Sequence, residues 1–137
     1  MSGMNPLIGP NLDELGDRFP DMSDVYNRNL RKEVLREAQD AGIELYEGVY
    51  AMMSGPSFET PAEIRFLHTI GCEAVGLSSV PEAIAAKHAG LEIIAISALA
   101  NAAAGISPVP LSGSDVLEAS AQIADSFRTV VDIAVNV

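Results

Sequence analysis

The sequence has few of the residues that mark secreted or membrane-bound proteins. Its 137 residues include one cysteine, Cys72, and no tryptophan, and aromatic residues make up 5%. A single cysteine excludes an internal disulfide framework, so a reducing compartment, the cytoplasm, is the expected location. No apolar run approaches the roughly 18 residues of a membrane span. The first six residues lack a basic region followed by an apolar stretch, so we expect no signal peptide.

Basic residues are also scarce. There are 8 Lys and Arg against 19 Asp and Glu, which gives a formal net charge of −11. A surface of this sign repels phosphate backbones, so we expect no nucleic acid partner. A local phosphate site stays possible, because backbone N–H groups bind anions whatever the overall charge. Hydrophobic residues make up 48% of the chain, as in ordinary globular proteins.

Hydrophobic periodicity and turn residues predict an alternating α/β fold. The predicted helices cover residues 24–41, 60–70, 80–90 and 114–134, and the predicted strands cover 43–53, 74–77 and 91–99. This order predicts one α/β domain over residues 1–137 with crossover connections. Residues 1–23 are irregular but apolar enough that we expect them to lie against the rest of the fold.

The most apolar predicted strand, 91–99, has the composition of a central parallel strand covered on both faces. A sheet of three strands is narrow and would leave such a strand at an exposed edge. We therefore expect the chain to be a piece of a wider sheet, or to pair with another chain.

Three segments with small and polar residues follow the predicted strands, at residues 54–60, 76–82 and 98–105. In open α/β sheets, ligands bind beyond the carboxyl ends of the strands. These segments are therefore the expected place for a binding site.

Each polar side chain in these segments has a structural and a functional interpretation. Glu59 is either a carboxylate favoured by a helix dipole or an acceptor for the edge of a heterocycle, and Phe58 is either core or a stacking surface. Ser78 and Ser79 either cap the next helix or face a phosphate. Asn101 ends an apolar strand, where an unpaired amide is costly, so a structural cap and a ligand contact are equally open.

Metal and dinucleotide chemistry have no support in the sequence. His68, His88 and Cys72 have no further His or Cys at ligand spacing, so we expect no metal. Cys72 has the pattern of a small buried hydrophobe, and His88 suits the C-terminal end of a helix. Neither a GxGxxG fingerprint nor a GxSxG elbow occurs.

Taken in order, five segments carry a resemblance to a known family. They are GDRFPDMSDVY at 16–26, GPSFET at 55–60, AVGLSSVPE at 74–82, HAGL at 88–91 and SALAN at 97–101. Together they resemble the trimeric purine nucleoside phosphorylases, over the C-terminal half of the family's length only. The resemblance implies a partial phosphorylase-type layered sheet with flanking helices, from which the N-terminal half is absent.

The resemblance also implies a reaction. A purine nucleoside phosphorylase converts a 6-oxopurine (deoxy)ribonucleoside and phosphate to the free base and (deoxy)ribose 1-phosphate. It implies a purine nucleoside or base and phosphate as ligands, no cofactor beyond inorganic phosphate as co-substrate, and a homotrimer active in purine salvage in the cytoplasm.

Site residues follow from the resemblance position by position. Glu59 matches the carboxylate that accepts a hydrogen bond from the base N1–H. Asn101 matches the amide that binds N7 and O6 and stabilises charge on the leaving purine. The residues matching base and ribose contacts are Tyr50, Phe58, Val75, Gly76 and Leu77. Ser78 matches a phosphate contact.

Three departures from the family pattern leave alternatives to an active phosphorylase. The other phosphate ligands belong to the half not present here, Gly113 replaces a histidine that reaches the ribose 5′-hydroxyl, and Met1 replaces a phenylalanine that closes a neighbouring subunit's pocket. We therefore expect the isolated chain to be inactive or nearly so. The alternative is a non-catalytic α/β oligomerisation or purine-binding module derived from the family. A third candidate, a phosphorylase of 5′-methylthioadenosine, is disfavoured by Asn101.

Overall fold

The computed structural model describes residues 4–137, so the position of Met1 lies outside the described residues. The elements in chain order are α1 (Arg28–Asp40), β1 (Tyr50–Met52), α2 (Pro61–Thr69), β2 (Ala74–Gly76), α3 (Val80–His88) and α4 (Gly113–Asn136). The predicted α/β class is confirmed, and each predicted helix is present with shifted ends. Over this described range, no helix combines the length and apolarity needed to cross a membrane.

The two strands form a parallel pair, with Met52 opposite Gly76 at its carboxyl end. The N–H of Met53 donates to the carbonyl of Gly76 at 2.9 Å, which continues the ladder beyond β1. Helix α2 supplies the crossover that two parallel strands need. Both strands are shorter than the predicted 43–53 and 74–77, because ladder pairing extends over only three residues of each.

The prediction of a third strand at residues 91–99 is wrong. The segment forms neither a strand nor a helix, and the described sheet contains β1 and β2 alone. One backbone bond joins it to the N-terminal part of the chain, from the N–H of Asn27 to the carbonyl of Ile93 at 2.8 Å. An apolar sequence indicates burial, but a strand also needs a neighbour to complete its hydrogen bonds, and none lies alongside within residues 4–137.

Side-chain caps set the starts of the helices. The Asn27 side chain accepts hydrogen bonds from two N–H groups of the first turn of α1, so this helix begins later than the predicted residue 24. At α2, Thr60 and Glu63 form a reciprocal capping box. Ser112 caps α4 and starts it slightly earlier than predicted.

The hydrophobic core is small. Ala51, Leu67 and Cys72 form a buried cluster, and Met53 and Val75 pack against it. This cluster joins the two strands to α2, and it confirms that Cys72 is a buried hydrophobe.

Helices α1 and α4 pack against each other away from the strands. Val34 and Ala38 on α1 are buried, and so is Val130 on α4. Val130 is the one buried residue of α4, which has 24 residues, so this helix has little of its apolar face covered.

Polar contacts hold the N-terminal segment against the end of α3. The Oδ1 of Asn11 lies 3.0 Å from Nε2 of the buried His88. Gly16 lies so close to the His88 carbonyl that a Cβ there would collide with it. The expectation that the segment's apolar residues are covered is only weakly met, since Phe19 is 88% and Ile8 81% exposed.

The chain exposes an unusually large surface. Its accessible area is 9480 Å², whereas a compact monomer of 14.4 kDa is expected to expose about 6,800 Å². Exposed large hydrophobic side chains occur in the N-terminal segment, in residues 91–99 and along α4.

Candidate functional site

Because the two strands are parallel, two of the three predicted site segments leave the sheet at the same edge. β1 ends at Met52 and β2 at Gly76, and these two residues are paired. Residues 53–60 therefore leave the sheet beside residues 77–79. This is the arrangement in which α/β folds bind ligands.

The two segments touch through Gly55 and Leu77. Gly55 has a φ of 55°, a left-handed conformation that favours glycine. A Cβ at Gly55 would stand 2.8 Å from Cδ1 of Leu77, so the leucine side chain lies directly over the glycine backbone. The peptide bond between Gly55 and Pro56 is cis.

Tyr50 and Gly76, both predicted substrate contacts, also lie together. The Tyr50 hydroxyl is so near Gly76 that a Cβ at that position would collide with it. Burial in the first place, and the Tyr50 phenol in the second, raise the pKa of the Tyr26 phenol above its ordinary value. The phenol of Tyr26 is therefore neutral at physiological pH. Sequence reasoning gave Tyr26 no role, although it closes the first resembling segment.

Glu59 is half-buried and its carboxylate has no hydrogen-bond or ion-pair partner within residues 4–137. The carboxylate in the first turn of α2 is Glu63, which binds Thr60. These bonds lower the pKa of Glu63, the Thr60 N–H contributing most and the Thr60 hydroxyl next. Because Glu63 fills the capping role, Glu59 is left with its acceptors free. Phe58, beside it, is 47% exposed and so is not a core residue.

Ser78 and Ser79 precede α3 without capping it through a side chain. Their hydroxyl oxygens lie 3.3 Å apart. Ser79 occupies the cap position with a φ of 73°, and its side chain makes no capping bond. Such a conformation is strained for a residue with a Cβ, and residues of this kind concentrate at functional sites. The interpretation that these serines cap α3 through their side chains is therefore wrong. Ser78 is exposed in the loop between β2 and α3.

Asn101 is exposed, and its side chain has no hydrogen-bond partner in the described part of the chain. The cap interpretation therefore has no support in the structure. The chain then turns, with N–H groups of Ile106 and Ser107 bonded to the carbonyl of Ala103. A Cβ at Gly105 would stand 2.8 Å from Cβ of Pro61, so this turn packs on the start of α2.

The structure thus joins the three predicted segments through backbone and apolar contacts. Gly55 meets Leu77, Tyr50 meets Gly76, and the turn after Asn101 meets α2 just beyond Glu59. Val75 is half-buried between the strand pair and the core cluster. That Glu59 and Asn101 bind one ring together stays a prediction.

Two grooves have none of the predicted site residues in their walls, although Ala98, of the predicted segment 98–105, lines one of them. One, of about 650 Å³, lies between the start of α1 and the end of α3, and the other, of about 490 Å³, lies beside α4. Over residues 4–137, no group of three His, Cys, Asp or Glu side chains is placed to hold a metal ion. The candidate site is therefore an open surface with unpartnered polar groups.

Comparison with known proteins identifies the family. The sequence profile of the phosphorylase superfamily matches residues 1–136, and the chain belongs to that superfamily.

Within the superfamily, the chain is similar to purine nucleoside phosphorylases. It is 49% identical over 129 residues to purine nucleoside phosphorylase 1 of Bacillus subtilis, which covers 94% of this chain and 48% of that protein. It is 49% identical over 135 residues to the Geobacillus stearothermophilus enzyme, with 98% and 49% covered. A crystal structure of a Schistosoma purine nucleoside phosphorylase with hypoxanthine superimposes with a TM-score of 0.90 at 35% identity, with 94% and 48% covered. The predicted family is confirmed, and the chain spans about half the length of the curated relatives it matches.

Proposed function

We propose that the chain is the base- and ribose-binding half of a purine nucleoside phosphorylase. The reaction is the phosphorolysis of 6-oxopurine (deoxy)ribonucleosides. The observation that carries the proposal is the position of Glu59 and Asn101. Each has a polar side chain without a partner among residues 4–137; Glu59 lies on the segment that follows β1, and the turn after Asn101 packs on the start of α2.

The chemistry explains why such side chains are needed. The bond between the anomeric carbon and N9 breaks and its electron pair stays on the purine, while a phosphate oxygen forms the new bond to that carbon. The sugar passes through an oxocarbenium-like state. Glu59 would accept from N1–H and hold the base, and Asn101 would donate to N7 and stabilise the charge that builds on the ring. Phe58, Val75 and the Tyr50–Gly76–Leu77 group would border the base and ribose.

Phosphate is the proposed co-substrate, and no other cofactor is required by this mechanism. Ser78 would contribute one phosphate contact. It lies beside the start of α3, which has no side-chain cap and where the helix dipole favours an anion. One hydroxyl holds phosphate weakly, so the remaining ligands must come from the half of the family's length that the chain does not span. We therefore expect turnover only when both halves are present, as a trimer in purine salvage in the cytoplasm.

The ligands of the structural relatives support a purine substrate. Schistosoma enzymes that resemble this chain have been crystallised with hypoxanthine, guanosine and inosine, and also with adenosine. A second isoform was crystallised with cytosine and ribose 1-phosphate, the sugar product expected of phosphorolysis.

Isothermal titration of hypoxanthine into the chain, alone and together with the N-terminal half of the Bacillus subtilis enzyme, tests the proposal. Glu59→Gln and Asn101→Ala should each weaken base binding by about tenfold or more, because the first replaces a charge-assisted hydrogen bond from N1–H with a neutral one and the second leaves N7 and O6 without a donor. Glu118→Gln and Asn29→Ala are the matched controls, since both side chains are exposed on helices away from the site. Equal affinity in all four variants would contradict the proposal.

A second candidate is a purine-binding or oligomerisation module without catalysis. Gly113, at the first position of α4, favours it, because it offers no side chain where the family pattern has a histidine. Inosine turnover by the two halves together separates the candidates. The enzyme produces hypoxanthine at saturating phosphate, whereas the module binds hypoxanthine and yields no product.

A further inference from the structure

We propose that Gly105 is a positioning residue for the base site. Through its contact with Pro61, it sets where the Asn101 amide stands relative to the Glu59 carboxylate. Gly105 touches no substrate and acts through Asn101. The inference rests on the proposed function, because it concerns how two of the proposed base-binding side chains are held at the spacing that one purine ring requires.

The contact joins the two segments that carry these side chains. Gly105 has a φ of 79°, a left-handed conformation that favours glycine. A Cβ there would stand 2.8 Å from Cβ and 3.2 Å from Cγ of Pro61. Carbon atoms in ordinary contact are about 3.5–4.0 Å apart. The turn therefore lies closer to the start of α2 than a residue with a side chain at position 105 allows.

The start of α2 has little freedom to make room. The ring of Pro61 is closed and its φ is fixed. Thr60 and Glu63, on either side of it, are joined by the capping box, and the N–H of Ile64 donates to the carbonyl of Thr60 at 3.1 Å. Glu59 immediately precedes this capped turn, so its backbone is held with it.

The turn that contains Gly105 is closed by its own hydrogen bonds. The carbonyl of Ala103 accepts from the N–H groups of Ile106 and Ser107 at 3.0 and 3.1 Å. Asn101 lies two residues before Ala103, and its side chain has no hydrogen-bond partner in the described part of the chain. A displacement of the turn is therefore passed on to the Asn101 amide, because no side-chain bond holds that amide in place.

Gly105→Ala would move Asn101 away from the ring. Bringing the new Cβ to ordinary contact with Pro61 takes a shift of roughly 0.7–1.2 Å. A shift of this size stretches a hydrogen bond of about 2.9 Å beyond about 3.5 Å, where it is effectively lost. The Glu59 carboxylate stays in place, so the ring keeps its bond at N1–H and loses those at N7 and O6.

Isothermal titration of hypoxanthine into the chain, together with the N-terminal half of the Bacillus subtilis enzyme, tests the inference. Gly105→Ala should weaken hypoxanthine binding by about tenfold or more. Gly42→Ala is the matched control, since Gly42 has a φ of 74° and nothing lies within 4 Å of a Cβ there. It brings the same backbone strain without the contact, so the affinity should change by less than about twofold.

Two double variants separate positioning from a general loss of structure. In the Gly105→Ala background, Asn101→Ala should weaken binding by less than about threefold, because the amide is already out of reach. Pro61→Gly removes the Cβ and Cγ that the new methyl group meets and leaves Cα at 3.5 Å. Added to Gly105→Ala, it should restore the affinity to within about threefold of that of Pro61→Gly alone. Backbone strain at position 105 predicts no such rescue.

Circular dichroism checks that each variant is folded. Gly105→Asn adds the same Cβ and tolerates the left-handed conformation, so it takes the place of Gly105→Ala if that chain does not fold. Weakened binding that overlaps the effect of Asn101→Ala and is relieved by Pro61→Gly supports the inference. Binding as tight as in Gly42→Ala overturns it, and so does full additivity with Asn101→Ala or the absence of rescue.

These outcomes differ from a failure of the proposed function. If Asn101→Ala weakens binding and Gly105→Ala does not, the positioning role is wrong and the base site stands. If hypoxanthine does not bind the unmodified chain, or Asn101→Ala has no effect, the proposed function and the positioning role are both wrong.

Discussion

Replacing Gly76 with alanine would place a methyl group against the phenol of Tyr50. The new Cβ would overlap the Tyr50 hydroxyl oxygen and stand 3.0 Å from Cζ and 3.4 Å from Cε2. Gly76 has no left-handed φ, so the cost comes from this contact and not from the backbone. Because Tyr50 and Gly76 belong to the two strands that pair with each other, their backbones cannot move apart without loss of the pairing, so the Tyr50 ring itself must turn to relieve the overlap.

Overpacking of this kind costs about 1–3 kcal/mol of unfolding free energy. Removing the hydroxyl alone leaves only the contacts at 3.0 and 3.4 Å, which small movements of the ring relieve. Tyr50→Phe should therefore recover part of the loss in the Gly76→Ala background. Since the Tyr50 hydroxyl has no hydrogen-bond partner within the described residues, Tyr50→Phe by itself should cost little. The expected coupling energy is on the order of 1 kcal/mol.

Urea unfolding of the four proteins of this double-mutant cycle measures the coupling. Gly113→Ala is the matched control, because nothing lies within 4 Å of a Cβ there and the position is helical. It should leave stability unchanged or raise it by up to about 1 kcal/mol. The reasoning is refuted if Gly76→Ala is no more destabilising than Gly113→Ala, or if Tyr50→Phe fails to reduce its cost.

Three further predictions concern single side chains. Hydrogen bonds from Thr60 lower the pKa of Glu63 below the ordinary value of 4.5. The stabilisation that the ionised Glu63 gives to the folded state is therefore complete above that pH, and it is lost as the pH falls through the lower pKa of the folded state. Glu63→Gln should therefore lower the urea midpoint at pH 7 and not near about pH 2, and an equal loss at both would contradict the cause. Asn11→Ala leaves the buried His88 ring nitrogen unpaired and should cost about 1–3 kcal/mol in urea unfolding; a neutral result would mean that water replaces the amide. In the assembled protein, Asn101→Asp should shift the ratio of the hypoxanthine and adenine affinities, measured by calorimetry, toward adenine by roughly tenfold or more. The reason is that a carboxylate accepts from an amino group but cannot donate to O6 or N7. An unchanged ratio of the two affinities would remove Asn101 from the base site.

Features set by neighbouring residues could be predicted from the sequence. The Thr60–Glu63 capping box spans three positions, so its pattern is sufficient to place the start of α2. The predicted start of α1 at residue 24 is wrong because tertiary contacts, which the local sequence does not contain, hold Asn27 in the cap position. Asn27 caps α1 while it also bonds Ile93 through its N–H and Glu92 through its side chain, at 2.8 and 2.7 Å.

The candidate site likewise has features that the sequence predicts and features that depend on tertiary contacts. Segments at strand ends follow from the alternation of elements, so their shared edge was predictable. The contacts that fix their spacing are not local: Gly55 meets Leu77, and Gly105 meets Pro61. The strand expected at 91–99 failed for a related reason, because hydrophobicity reports how apolar a segment is and contains no information about its pairing partner.

The contacts that hold the N-terminal segment also bear on the order in which the chain folds. The hydrogen bond between Asn11 and His88 closes a loop of 77 positions, whereas the bond from the Val49 N–H to the Glu73 carboxylate closes one of 24. The longer closure costs about 1 kcal/mol more in chain entropy. The β1–α2–β2 unit is therefore expected to form early, with residues 4–26 docking late and detaching first under mild denaturing conditions.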